Sequence, residues 1–184
     1  MKPETLSSEA IYKGKIFDLR VDDVREGEVE YQRDIVVHPG SAVVVPLFND
    51  GTVALVWQYR HAAGKYLLEI PAGSLEPNES PETAARRELE EEIGFTAGKI
   101  EKLSEFYISP GFLTEKMYLF QATDLTKTTQ NLDDDEIVTI ERHTIAEAFD
   151  LIRTGGIEDA KTMIGVMMAS QNCCVRSCVQ GRNS

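Results

Sequence analysis

Three glutamates, Glu88, Glu91 and Glu92, stand three and four residues apart in the run PETAARRELEEEI (81–93). On a helix those intervals bring the three carboxylates onto one face, within reach of one another. Like charges so placed repel, and two arrangements relieve the repulsion. One is a solvated acidic face, the ordinary fate of a run of charge. The other is a hard divalent cation, because carboxylate oxygens are the ligands that Mg²⁺ and Mn²⁺ select. Arg86 and Arg87 lie in the same run and are spaced to neutralise only part of the cluster. A second dense acidic segment, LDDDE (132–136), sits between expected strands, where a loop can carry a working carboxylate.

The helix that must present the glutamates is sharply bounded. Ser80 reads as its N-cap, Pro81 as the first helical position, Glu82 falls in the first turn, and Gly94 stands just past the end. The preceding EIPAGSLEPNES (69–80) enters with Pro71 and leaves through Gly73 and Pro77, a loop that can offer backbone carbonyls. The β-branched segments 16–24 and 29–38 predict an N-terminal hairpin. AVVVPLF (42–48) and TVALVWQYR (52–60) predict two strands around an Asp50-Gly51 turn. Further strands are expected at 67–70, 101–108, 116–122 and 136–142. Helical spacing returns at 144–153 and 159–169, where Ile145, Phe149 and Ile152 share a stripe and Gly155-Gly156 breaks the chain. Strands mixed with a few helices, without regular alternation, predict an α+β fold with a mixed or antiparallel sheet.

A length of 184 residues suits one globular unit with a sizeable core. The 31 acidic against 19 basic residues give a formal net charge of −12, which repels nucleic-acid phosphates and anionic membrane surfaces. No apolar run approaches the roughly 18 residues of a membrane span. The opening MKPETLSSEA lacks the apolar stretch of a secretory signal, so a cytoplasmic protein is expected. Cys173, Cys174 and Cys178 crowd one end and form no complete disulfide framework, which predicts a reduced, poorly ordered tail.

Residues 73–95, GSLEPNESPETAARRELEEEIGF, resemble the Nudix box: Gly, five residues, Glu, seven residues, Arg-Glu-aliphatic-x-Glu-Glu-x-Gly-aliphatic. The matching positions are Gly73, Glu79, Arg87, Glu88, Leu89, Glu91, Glu92, Gly94 and Phe95. Seven fixed residues coincide by chance in roughly one of 10⁸ windows. This resemblance favours the metal site over the solvated face. It implies a Nudix fold, with a mixed sheet sandwiched between helices, and metal-dependent hydrolysis of a pyrophosphate bond. It also implies that Glu88, Glu91, Glu92 and the carbonyl of Ala72 hold Mg²⁺ or Mn²⁺, that Glu91 or Glu92 can act in catalysis, and that Glu79 and Arg87 orient the ligands.

QYR (58–60) leading into LLEIPAG, SPGFLTE (109–115), LDDDE, GKIFDLRVDDV and RDIVVHPG resemble the ADP-ribose pyrophosphatase branch, over roughly residues 12–170. The branch implies that Arg33 and Arg60 grip phosphate or ribose, that Glu115 lies near the terminal ribose, and that Gly73 and Ile108 line the substrate pocket. For either arginine the alternative is a surface ion pair. In register with the branch, Asp134 falls where the catalytic base lies and Glu136 where a further metal ligand lies, although relatives often carry Glu in place of Asp134. Where branch members stack adenine on an aromatic ring, the chain has Ile16 with Phe17 beside it. The branch also implies an N-terminal β region (1–40) that dimerises, a hydrolase domain over 41–170 and a flexible tail over 171–184. A homodimer cleaving ADP-ribose to AMP and ribose 5-phosphate is the expected protein. Hydrolysis of GDP-mannose or a UDP-sugar is the enzymatic alternative. A non-catalytic ADP-ribose sensor typically lacks the box carboxylates, whereas Glu88, Glu91 and Glu92 are all present here.

Overall fold

A computed structural model describes residues 2–132 and 136–180, with side chains as far as Gln171. In chain order the strands are β1 (Glu4–Lys13), β2 (Asp18–Glu26), β3 (Val29–Val37), β4 (Ser41–Pro46), β5 (Thr52–Arg60), β6 (Lys65–Glu69), β7 (Ala72–Ser74), β8 (Phe95–Tyr107), β9 (Lys116–Lys127) and β10 (Val138–Thr144). Helix α1 (Pro81–Ile93) separates β7 from β8, and α2 (Ile145–Thr154) and α3 (Ala160–Gln180) follow β10.

The centre of the fold follows from β4, in which every residue is buried. A strand apolar on both sides needs cover on both faces. Successive side chains point to opposite faces. Val43 and Val45 therefore join Leu55, Leu68, Ile70 and Leu119 beneath Val166 and Ala169 of α3. Ala42 and Val44 face the other way, with Ala54, Val56 and Phe120, against Ala84, Ala85, Leu89 and Ile93 of α1. The α+β expectation holds: β4 runs parallel to β9 and antiparallel to β7 in a mixed sheet ordered β7-β4-β9-β8. A second sheet is ordered β10-β5-β6, and helices cover both faces.

The segments around Asp50-Gly51 are strands joined by a turn, as expected; β4 and β5 enter different sheets, linked through the Leu47–Val53 bridge and the bond from Phe48 N to Thr52 O at 2.8 Å. In its own sheet β4 lies beside β9. Two expectations need correction. The N-terminal hairpin of β2 and β3 exists, yet β1 adds a third strand, in the order β1-β2-β3. The last helix runs on to Gln180, past the 169 at which its apolar spacing ends. Among the described residues, no helix is long and apolar enough to cross a membrane.

Candidate metal and substrate site

Helix α1 begins and ends where its sequence signals put it. The Ser80 hydroxyl accepts from Thr83 N at 3.1 Å, Pro81 opens the helix, and Gly94 closes it at φ 69°. Its inner face buries Leu89 together with two of the three clustered glutamates, since Glu88 is only 6% exposed and Glu92 2%. Glu91 is half-buried.

Arg87 organises the approach to this helix. Its Nε and Nη2 donate to the two carboxylate oxygens of Glu79, each at 3.0 Å, and Nη2 also reaches the carbonyl of Ser74 at 3.1 Å. Its Nη1 donates to Glu88 Oε1 at 2.6 Å and to Glu91 Oε2 at 2.9 Å. One guanidinium thus ties the incoming loop to two of the clustered carboxylates, and its bonds to Glu79 hold that carboxyl below its ordinary pKa. Arg86 faces away, bonded to Glu82 and to the carbonyl of Ala97.

Gly73 follows Ala72 on β7, and both line a cleft of about 1150 Å³ with Glu88. A Cβ at Gly73 would lie 1.8 Å from Glu88 Oε1, so only glycine lets β7 and this carboxylate share the space. Burial pushes the Glu88 pKa up to about 7, against the opposing effect of Arg87. Burial, reinforced by Glu88 and Glu136, pushes Glu92 up to about 8. Glu92 Oε2 is buried without a hydrogen-bond partner. Among the described residues no three acidic, His or Cys side chains already converge as a metal cage, and Arg87 is paired with both Glu88 and Glu91. The donors nevertheless fit a hard cation. They are all oxygens, two are desolvated on one helix face, and the unpartnered Oε2 of Glu92 is what a cation would satisfy.

The remaining expected residues distribute unevenly. Arg60, Ile108, Glu115 and Glu136 line the same cleft. Glu115 Oε1 accepts from the Ser41 hydroxyl at 2.6 Å and lies 3.7 Å from His38 Nδ1. Ile16 and Phe17 stand exposed at the cleft rim. Arg33 is elsewhere: it is exposed on β3, 4.0 Å from the ring centroid of Tyr31, and bonded to the carbonyl of Gln32. Asp134 lies outside the described residues. The chain just before it is tied to the end of α1, since Gln130 Nε2 donates to the Glu92 carbonyl at 2.6 Å and Asn131 N to that of Glu91 at 3.1 Å.

A charged group that the sequence reading passed over closes one wall. Arg60 donates through Nε and Nη2 to both oxygens of Glu69, at 2.8 and 2.7 Å, and Lys161 bonds the same carboxylate while pairing with Asp159 at 3.0 Å. Burial alone would raise the pKa of Glu69, but these cations outweigh it and hold the group ionised. Glu69 lay in plain view within LLEIPAG. Lys161 is 92 residues further on, and no local pattern joins the two.

A helix of buried glutamates, fed by a glycine loop clamped through Glu79 and Arg87 and laid on a mixed sheet, defines a class. The NUDIX domain model matches residues 38–164, and the chain belongs to that family, as a Nudix hydrolase. Within it the chain is 39% identical over 170 residues to the ADP-ribose pyrophosphatase of Bacillus subtilis (strain 168), covering 90% of this chain and 91% of that one. It is 40% identical over 167 residues to the methanol dehydrogenase activator of Bacillus methanolicus (89% and 90% covered). It is 36% identical over 160 residues to the GDP-mannose pyrophosphatase of Yersinia pestis (strain Pestoides F), covering 80% and 78%. The crystal structure of an ADP compounds hydrolase superposes with a TM-score of 0.82 at 25% identity, covering 99% of this chain and 96% of that one.

Proposed function

We propose that the protein is a divalent-metal-dependent pyrophosphohydrolase of nucleoside diphosphate sugars, with ADP-ribose as its substrate, giving AMP and ribose 5-phosphate. The carrying observation is the pair of desolvated glutamates, Glu88 and Glu92, beside a cleft roomy enough for a dinucleotide-sized ligand. The relatives named as ADP-ribose and GDP-mannose pyrophosphatases support the substrate class.

Nudix hydrolases are generally divalent-metal dependent. Here Glu88, Glu91, Glu92, Glu136 and the Ala72 carbonyl would hold Mg²⁺ or Mn²⁺. When bound, such ions supply an activated water and neutralise charge on the leaving phosphate. Arg87 and Glu79 orient the carboxylates. Arg60 faces the diphosphate, with Ile108 and Glu115 toward the distal sugar. Arg33, outside the cleft of its own chain, would reach substrate from a partner subunit in a homodimer built on the N-terminal sheet. Asp134 is assigned as the general base and Glu136 as the further ligand, because the segment before them docks against the carboxylate end of α1. The domain limits follow the same reading: 1–40 for the dimerising region, 41–170 for the hydrolase and 171–184 for a tail.

Chromatography of products from ADP-ribose, GDP-mannose and UDP-glucose, with Mg²⁺, with Mn²⁺ and with excess chelator, tests the proposal. The expected result is AMP and ribose 5-phosphate from ADP-ribose, with activity lost in chelator. Faster cleavage of GDP-mannose would transfer the assignment to that sugar, and cleavage of none would remove the activity.

A further inference from the structure

The buried ammonium of Lys161 has no part in the chemistry assigned to α1, yet it stands at the cleft wall with only 7% of its side chain exposed. Burying an ammonium is costly, and an apolar side chain of similar size is often the more stabilising choice at such a place. The reason for a charge here therefore lies in what the charge touches. Lys161 bonds Glu69, itself 2% exposed, and pairs with Asp159. Asp159 is fixed in turn, because its Oδ2 accepts from Thr162 N at 2.9 Å and from the Thr162 hydroxyl at 2.6 Å. Ile70 N, next to Glu69, donates to Thr162 Oγ1 at 2.9 Å across the same seam. The first turn of α3 is thus locked to the end of β6, with Glu69 gripped from one side by Lys161.

From the other side Glu69 takes both Nε and Nη2 of Arg60, a two-point contact that fixes the plane of the guanidinium and leaves its Nη1 edge outside the pair. The Arg60 side chain is 40% exposed at the cleft, so it is the member of the array that a ligand can meet. Charge leads to the same place. Two cations, Arg60 and Lys161, face two carboxylates, Glu69 and Asp159. Without Lys161 the wall would carry net negative charge toward an anionic diphosphate.

We propose that Lys161 is a positioning residue for substrate binding: it pins Glu69, which orients Arg60 toward the cleft, and it cancels carboxylate charge that would repel the diphosphate. The inference rests on the proposed hydrolysis of a nucleoside diphosphate sugar. A group that sets the grip on a non-reacting part of the substrate acts on ground and transition states alike, so it moves KM and leaves kcat.

The test is a double-mutant cycle on Lys161→Met and Arg60→Ala. It is read through KM and kcat for ADP-ribose and through calorimetric binding of its hydrolysis-resistant α,β-methylene analogue. Lys161→Met should raise KM and Kd about tenfold with kcat within about threefold, and the double variant should fall well short of the product of the two single effects, the mark of a residue that acts in part through the other. Lys161→Gln keeps a donor to Glu69 and guards against a variant that fails to fold; losing the charge alone should raise KM about threefold. Additive effects in the double variant, a fall in kcat at unchanged KM, or unchanged binding in both Lys161 variants would each overturn the proposal. A wild-type protein that neither binds the analogue nor cleaves ADP-ribose fails one step earlier, at the function itself.

Discussion

Glu88 and Glu92 are four residues apart and both desolvated, and Glu88 adds to the cost of ionising Glu92. Their folded-state pKa values, about 7 and about 8, lie above the ordinary 4.5, so over that interval the folded protein binds more protons than the unfolded chain. The metal-free protein should therefore lose stability as pH rises from roughly 4.5 toward 8. Its melting temperature in chelator should fall across that range, and Glu92→Gln should flatten the fall. A profile equally steep in the variant would show that other groups set it. On the proposed mechanism the same groups carry the activity, so Glu88→Gln or Glu92→Gln should slow turnover at least 100-fold, about 2.7 kcal/mol of barrier, while the fold survives. Full activity of either variant with Mg²⁺ or Mn²⁺ present would remove that residue from the reaction. Gly73→Ala is a sharper probe, because its Cβ would fall 1.8 Å from Glu88 Oε1 and must push that carboxylate aside. Turnover should drop at least tenfold with circular dichroism unchanged, on the order of 1.4 kcal/mol of barrier; an unimpaired variant would show that Glu88 need not sit there.

At the level of elements, α1 is a helix whose sequence states its own limits. Ser80, Pro81 and Gly94 act locally, and its ends fall where those residues put them. Strand β1 was invisible for the opposite reason. ETLSSEAIYK is exposed at every position and shows no alternation, its place being set by register against β2. The glutamate cluster was legible because helix geometry alone gathers it, whereas the Lys161–Glu69 contact spans 92 residues and exists only once α3 lies against β6. The loop after β9 falls between these cases. Its acidic run was plain in the sequence, and the residues just before it, Gln130 and Asn131, bond to the end of α1. Asp134→Asn should accordingly reduce kcat with little change in KM and remove one limb of the pH–rate profile, as loss of a general base does. Glu136→Gln should weaken both the rate and the dependence on metal concentration. If both variants keep kcat within about threefold, under roughly 0.7 kcal/mol, the base lies on α1 itself, at Glu91 or Glu92.

The whole molecule has an unbalanced end. The β1-β2-β3 sheet meets the rest of the chain through the Val36–Leu113 bridge and the flanking bonds, Val36 N to Phe112 O at 2.8 Å and Thr114 N to Val36 O at 3.0 Å. Among its described residues only Asp22 and Val24 are buried, while Leu6, Ile11, Tyr12 and Val29 are exposed. A three-stranded sheet needs an apolar face packed on something to be stable, and an exposed edge strand offers unpaired backbone groups to a partner. In the proposed homodimer a second copy of the chain would supply both, and it would bring Arg33, which lies away from its own cleft, toward the partner's. The protein should therefore elute at twice its 20.5 kDa chain mass in light-scattering chromatography. Removal of residues 1–13 should shift it toward monomer and raise KM for ADP-ribose more than it lowers kcat, because the glutamate helix stays intact while the cleft loses whatever the partner contributes. A wild-type monomer at micromolar concentration, or a truncated dimer with unchanged KM, would detach the N-terminal sheet from both assembly and substrate binding.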